Sequence, residues 1–173
     1  MYKFPGLNEN PEALVKSAES LNTLHHNIRI DPSTMSLSWS ALSSALTSLT
    51  TASKLPDVEN LSAVHILRGD VELLRYQMGQ GENGWDVSKK NESALLKNAE
   101  VFYRGGKNVA KAAGEQSVER EGGVKELLVK GLRGEGVEGL RGIGENEVAK
   151  VIGEMVEDGL VSRGQLEGMG LTF

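Results

Sequence analysis

Apolar residues recur every three or four positions along four stretches of this chain, at 14–28, 35–52, 58–78 and 91–113. That spacing is the period of one face of an α-helix. The third stretch is the most regular, since it keeps these spacings from end to end: Val58, Leu61, Val64, Leu67, Val71, Leu74 and Met78. The pattern predicts an all-α fold in which short turns join antiparallel helices as a stack or bundle.

Proline marks the start of the first three stretches. Asn10-Pro11, Asp31-Pro32 and Pro56-Asp57 each precede an apolar-periodic run. Asn or Asp can cap the free N–H groups of a helix start, and proline loses no hydrogen bond at the first helical position. We therefore expect helices to begin at these points. Twelve serine and threonine residues lie between positions 33 and 53, so the second helix should depend on packing rather than propensity.

The fourth stretch carries two glycines in its middle, Gly105 and Gly106. Each glycine costs a helix about 1 kcal/mol relative to alanine. We expect either that a neighbouring helix packs very close at this point or that the helix bends there. Gly114 is the expected end of this helix, and its predicted apolar face consists of Leu95, Ala99, Phe102, Val109 and Ala113.

The chain changes character at position 114. Residues 114–173 hold fourteen of the 21 glycines and all of the net charge of −5. We therefore predict two regions: an antiparallel helical domain at 1–113 and a glycine-rich, acidic region of short helices at 114–173. The second region either packs on the first or stays partly disordered, because glycine raises the entropy cost of ordering.

Composition narrows the class of protein. The 173 residues fit one domain, or one domain with a small appendage, and the absence of cysteine excludes disulfides and thiolate chemistry. The sequence has no stretch of about 18 consecutive apolar residues, so it predicts no membrane-spanning helix. The first residues lack the apolar core of a signal peptide. We expect an intracellular protein, cytoplasmic or nuclear, that has no membrane partner.

Candidate catalytic chemistry is sparse. The three histidines are His25, His26 and His65, and their spacing matches no zinc-binding motif. The chain also lacks a nucleophile elbow and a complete phosphate-binding loop. We therefore expect no catalytic residues, no metal site and no cofactor, and the sequence does not favour an enzyme.

The front helices resemble a tetratricopeptide repeat. The segment Ile28-Arg-Ile-Asp-Pro-Ser33 followed by Trp39 and Leu42 is similar to the junction between two helices of that family, and Gly69-Asp70 is similar to a mid-helix pair. The resemblance covers residues 10–113. It implies stacked antiparallel helices that present a surface to a protein or peptide partner. A plain four-helix assembly remains the alternative.

A second resemblance lies in the tail, at residues 140–152. The turn Gly142-Ile143-Gly144 between two short apolar-periodic segments is similar to the helix-hairpin-helix motif of nucleic-acid-binding proteins. That resemblance implies that the two glycines let the backbone approach a phosphate, with Ile143 in the core and Lys150 as a nearby cation.

Two acidic residues count against nucleic-acid binding at this turn. Glu145 and Glu147 stand where the phosphate would lie, whereas duplex affinity comes mainly from lysine and arginine. Two alternatives therefore stay open. The turn could join two packed helices without binding a ligand, or it could serve protein pairing.

The sequence favours a non-enzymatic protein–protein interaction module, an adaptor or scaffold. The alternative is a nucleic-acid-associated protein that uses the turn at 140–152. The oligomeric state is open. The partner-binding candidates, expected to be exposed on the helices, are Arg68, Arg75, Tyr76, Tyr103 and Arg104.

Overall fold

The computed structural model describes residues 35–55, 58 and 60–172. Within these residues the chain forms six α-helices and one 3₁₀-helix, and no strand. The prediction of an all-α fold is confirmed. The helices are α1 (Met35–Ala52), α2 (Leu61–Gln77), α3 (Asp86–Ala113), α4 (Gln116–Leu132), α5 (Glu145–Glu157) and α6 (Arg163–Gly168), with the 3₁₀-helix at Glu138–Gly142.

The three proline-marked starts, at 10–11, 31–32 and 56–57, lie outside the described residues, and so does the first predicted helix. The second predicted helix is present as α1. Its hydroxyl groups bond to its own backbone, as Ser43 Oγ donates to the Trp39 carbonyl at 2.7 Å and Thr47 Oγ1 donates to the Ser43 carbonyl at 3.0 Å. The buried side of α1 consists of Ser38, Leu42, Ala45, Leu49 and Ala52.

Helices α2 and α3 pack antiparallel with a clear register. Ser88 of α3 donates a hydrogen bond to the carbonyl of Arg75 near the end of α2. Further along α3, the Tyr103 hydroxyl donates to Asp70 Oδ1 at 2.8 Å. Residue numbers therefore increase along α3 in the direction in which they decrease along α2, so the two helices are antiparallel.

The two glycines of α3 lie within one continuous helix, and a close neighbour explains one of them. A Cβ atom on Gly106 would lie 2.8 Å from Ile66 Cδ1 and 3.0 Å from the Ser62 carbonyl oxygen of α2. A Cβ on Gly105 would meet only His65 Cγ, at 3.9 Å. Gly106 therefore permits the close approach of α2, in agreement with the expectation that a neighbouring helix packs very close at this point. The helix ends where expected, because Gly114 adopts a left-handed φ of 74°.

The buried face of α3 differs from the predicted one. Leu95 and Ala99 are buried as expected, but Ala113 is exposed and Phe102 and Val109 are only half-buried. The buried positions continue instead through Tyr103, Gly106 and Ala110. Glycine and tyrosine carry this face, so a pattern that counts large apolar residues misses it.

Helix α4 packs antiparallel to α3 and beside α2. Lys125 of α4 pairs with Asp70 of α2, and Gly122 lies against Ile66 and Lys107. The side chain of Gln77 at the end of α2 donates to the Leu160 carbonyl at 2.8 Å, which places the segment before α6 beside α2. One hydrophobic core thus includes residues from all six helices. The division of the chain at 113/114 into two regions stays a prediction.

Candidate functional site

The structure places the five predicted partner-binding residues in different surroundings. Tyr76 and Tyr103 are buried, so the expectation that they are exposed is corrected. Arg68 and Arg75 are half-buried, and each guanidinium lies over an aromatic ring, 4.1 Å from the Phe102 centroid and 4.0 Å from the Trp39 centroid. Arg104 is exposed. Their role in binding stays a prediction.

Tyr103 belongs to a buried polar cluster in the core. Lys125 Nζ lies 2.9 Å and 3.1 Å from the two carboxylate oxygens of Asp70, and 2.8 Å from Glu121 Oε1. Burial alone would lower the pKa of Lys125, but the negative charges of Asp70 and Glu121 raise it above its ordinary value. Lys125 therefore stays protonated, and the cluster ties α2, α3 and α4 together.

A second set of charges faces solvent on α3 and α4. Glu126 of α4 is almost fully buried, with 5 % of its side chain exposed, and it accepts from three cations. Arg104 Nε lies 3.0 Å from Glu126 Oε1, Lys130 Nζ lies 3.2 Å from the same oxygen, and Lys107 Nζ pairs with Oε2. One desolvated carboxylate thus holds three positive side chains in place.

A second carboxylate extends this arrangement along α3. Glu100, which is also buried, pairs with Arg104 one helical turn away and with Arg133 just beyond the end of α4. We call the four positive side chains that these two carboxylates hold the cation row: Arg104, Lys107, Lys130 and Arg133. Glu135 is a third carboxylate beside the row, 3.4 Å from Arg133, so four cations meet three carboxylates and the row keeps a net positive charge.

The charge of Glu126 is held by its partners. Burial alone would raise the pKa of its carboxyl, but the hydrogen bonds from Lys107, Arg104 and Lys130 lower it to about 2. The carboxylate is therefore ionised at any physiological pH.

A cleft of 640 Å³ opens beside the cation row, between α4 and the segment 139–143. We call it the α4 cleft. Three of its lining side chains are positive, Lys107, Arg120 and Lys130, and two are negative, Glu119 and Glu126. The other lining residues are Gln116, Gly123, Leu127, Gly139, Gly142 and Ile143.

The turn that offers the alternative nucleic-acid site lies at this cleft. Gly142 ends the 3₁₀-helix, and the half-buried Ile143 packs against the core. Gly144 precedes α5 with a φ of 105°, a conformation that favours glycine. Lys150 is exposed on α5 and does not line the cleft. The structure thus brings Gly142 and Ile143 next to lysines that the sequence prediction did not include.

The cation row was not predicted as a group, although its local signals are visible in the sequence. Glu100 with Arg104, and Glu126 with Lys130, are each spaced four residues apart with the acid first, which is the favourable order on a helix. The pairs between helices, such as Lys107 with Glu126, join residues that only the packing of α3 on α4 brings together.

A smaller groove of 410 Å³ lies between α5 and α6, with Ala149, Gly153, Val156 and Leu171 among its lining residues. Within the described part of the chain, no group of three or more His, Cys, Asp or Glu residues is arranged to hold a metal ion. Among the same residues, no helix has both the length and the apolar character needed to cross a membrane.

Comparisons of this chain with protein-family models, with curated proteins and with solved structures gave no match.

Proposed function

We propose that this chain is a non-enzymatic protein–protein interaction module, an adaptor or scaffold of antiparallel helices. Its binding surface is the cation row on α3 and α4, and its partner presents an acidic segment. The observation that carries the proposal is the arrangement of four cations, two of them exposed and two half-buried, over two buried carboxylates, Glu100 and Glu126.

Cationic side chains that are already ordered favour binding, because they lose little further rotamer entropy when a partner binds. A free lysine or arginine side chain loses about 1.5–2 kcal/mol of rotamer entropy when a partner immobilises it. In the cation row the buried carboxylates already restrict these side chains, so a partner meets donors in place. The side chains stay partly accessible, from 45 % exposed at Arg104 to 27 % at Lys130.

The chain as a whole is acidic, with a net charge of −5. A positive surface on an acidic protein steers a short acidic segment to one place and repels it elsewhere. This favours a local protein contact over the extended, uniformly charged backbone of a nucleic acid.

The test compares the native chain with a variant that removes one end of the row. Arg104→Gln and Arg133→Gln are combined with Glu100→Gln, so that no buried carboxylate is left without its cations. The exposed Lys97→Gln is the control, because it changes the net charge by the same amount elsewhere on α3. Each protein is immobilised, and bound proteins are quantified by mass spectrometry.

We expect the recovered amount of each specific partner to fall at least about tenfold on the triple variant and to stay unchanged on Lys97→Gln. The reason is that charge-assisted contacts contribute about 1.5–3 kcal/mol each. Circular dichroism verifies that all three proteins are folded. Equal recovery of every protein by all three chains would refute the proposal.

A second candidate is nucleic-acid binding through the turn at 142–144. The favouring observation is that Gly142 and Ile143 line the α4 cleft together with Lys107, Arg120 and Lys130. The test is the binding of single- and double-stranded DNA and of RNA at increasing salt, with the variant Ile143→Asp. Salt-dependent binding that this variant loses supports the candidate, and no binding at low salt removes it.

A further inference from the structure

The α4 cleft gathers positive side chains from two helices. Lys107 comes from α3, and Arg120 and Lys130 come from opposite ends of α4, yet all three line one cleft. Cations from two helices that line one cleft can donate to a single anion from more than one side.

The two lysines are held at fixed positions. Lys107 pairs with Glu126 Oε2, and Lys130 lies 3.2 Å from Glu126 Oε1. Each ammonium group has three donors, so both lysines keep donors for a ligand after pairing with the carboxylate. Arg120 is less constrained, because its contact with Glu147 is 4.0 Å long and 52 % of its side chain is exposed. It can therefore turn toward a ligand in the cleft.

The wall of the cleft at Gly142 brings little steric bulk, whereas Leu127 and Ile143 lie close to Gly139 and Gly123. Three of the lining residues are glycines, Gly123, Gly139 and Gly142. A Cβ atom on Gly142 would have no neighbour within 4 Å, so the space beside the turn is open. A ligand can approach the backbone there more closely than it could with side chains present.

Carboxylates limit what the cleft can accept. Glu126 is compensated by its three cations, but Glu119 also lines the cleft and repels an anion. Outside the cleft, Glu138, Glu145 and Glu147 flank the turn. A chain of phosphates would meet all of these carboxylates, whereas one compact anion within the cleft would meet chiefly Glu119, with Glu147 beside Arg120.

We infer that the α4 cleft binds a single phosphate monoester, carried by a phosphorylated serine or threonine of the partner protein. This inference rests on the proposed function, since it names the group that the partner inserts beside the cation row. A phosphate monoester carries about −1.5 to −2 charges at pH 7 and three acceptor oxygens. The cleft's three cations, which Glu126 and Glu119 partly compensate, offer donors to all three of these oxygens, whereas a carboxylate presents only two.

The experiment measures peptide binding to the full chain by isothermal titration calorimetry. The probes are a flexible five-residue Gly peptide with a central phosphoserine, the same peptide with serine, and the same peptide with glutamate. Inorganic phosphate and a twelve-nucleotide thymidine oligonucleotide are the further ligands. The variants are Arg120→Gln, Glu119→Gln and, as the control, the exposed Lys97→Gln.

We expect the phosphoserine peptide to bind at least about tenfold more tightly than the glutamate peptide, and the serine peptide not to bind. Arg120→Gln should weaken the phosphopeptide about tenfold, and Glu119→Gln should tighten it about two- to fivefold, because it removes the opposing charge. Lys97→Gln should leave the affinity unchanged. Both test variants alter half-buried or exposed side chains, and circular dichroism confirms that they fold.

Equal affinity for the phosphoserine and glutamate peptides would overturn the inference, and so would phosphopeptide binding that Arg120→Gln and Glu119→Gln leave unchanged. Tighter binding of inorganic phosphate than of the peptide would identify a free anion as the ligand instead. Tighter binding of the oligonucleotide would favour nucleic acid. Partners that depend on the cation row without any phosphopeptide binding would leave the proposed function standing and reject this inference alone.

Discussion

Lys125 of α4 forms an ion pair with Asp70 of α2 inside the helical core, although 55 positions separate the two residues in the sequence. Both side chains are almost fully buried, and the Tyr103 hydroxyl donates to the same carboxylate from α3. Three helices thus meet at one carboxylate. Because a buried charge without its partner is strongly unfavourable, we expect this contact to favour one packing of α4 on α2.

The first prediction concerns this ion pair. Lys125→Met should lower the free energy of unfolding by about 3–5 kcal/mol, because Asp70 would lose its buried cation. Urea-induced unfolding, followed by circular dichroism, measures the loss.

The double variant Asp70→Asn with Lys125→Met should recover a large part of that stability, since it removes the unpaired charge and keeps a hydrogen-bond acceptor for Tyr103. Tyr103→Phe is the milder comparison and should cost about 1 kcal/mol, the usual contribution of one hydrogen bond. A Lys125→Met protein as stable as the native chain would contradict the buried pair.

The second prediction contrasts the two adjacent glycines of α3. Gly106→Ala should destabilise the protein by about 1–3 kcal/mol, because the added Cβ would lie 2.8 Å from Ile66 Cδ1 and 3.0 Å from a backbone oxygen of α2. Thermal unfolding measures the change.

Gly105→Ala is the matched control, with the same substitution one position earlier. Its Cβ would have only one neighbour, at 3.9 Å, so the higher helix propensity of alanine should stabilise the protein by about 0.5–1 kcal/mol. Changes in stability of the same sign in both variants would contradict the claim that α2 packs too closely on Gly106 to admit a Cβ atom.

The third prediction concerns pH. The pKa of the Glu126 carboxyl is about 2 in the folded protein, against an ordinary value of 4.5. Between these values the unfolded chain binds the proton more readily, so stability rises with pH there. The contribution of Glu126 is complete above about pH 5 and is lost as the pH falls toward 2; its full size is about 3 kcal/mol and decreases with salt.

Glu126→Gln isolates this contribution. The difference in unfolding free energy between the native chain and the variant should shrink as the pH is lowered from 6 to 2.5, measured by urea unfolding at each pH. Glu154→Gln, an exposed position on α5, is the control and should show little difference at any pH. A difference for Glu126→Gln that does not depend on pH would mean that the three cations do not hold the carboxylate as described.

Local signals located α1, α2 and the end of α3, but α3 begins at Asp86, before the predicted stretch, and the buried face of α3 was not predicted. The end of α3 at Gly114 was predictable because a left-handed glycine is a local feature of the backbone. Its buried face was not, because Tyr103 is a polar-tipped residue whose hydroxyl is satisfied by Asp70 and Gly106 has no side chain to count. The prediction that Tyr76 and Tyr103 are exposed was accordingly wrong. Their polar hydroxyl groups suggested a surface position, but both residues lie in the core.

The candidate site shows the same division. The pairs Glu100 with Arg104 and Glu126 with Lys130 are visible as spacings of four on single helices. Two further pairs, Lys107 with Glu126 and Arg133 with Glu100, join residues that are far apart in the sequence. No local pattern around one residue of such a pair predicts the other. The sequence pattern also drew attention to Gly142 and Ile143, but their neighbours in the α4 cleft come from α3 and α4.

The sequence by itself determined that the described chain is helical and where α3 ends, because the hydrophobic period and a glycine stop act over a few residues. Tertiary structure alone decided which carboxylates are buried and which cations they hold. That outcome depends on the register between α2, α3 and α4, which is set by close contacts such as Ile66 with Gly106 and Gly122. A contact of that kind depends on two distant segments at once, so the pattern of either segment alone does not contain it.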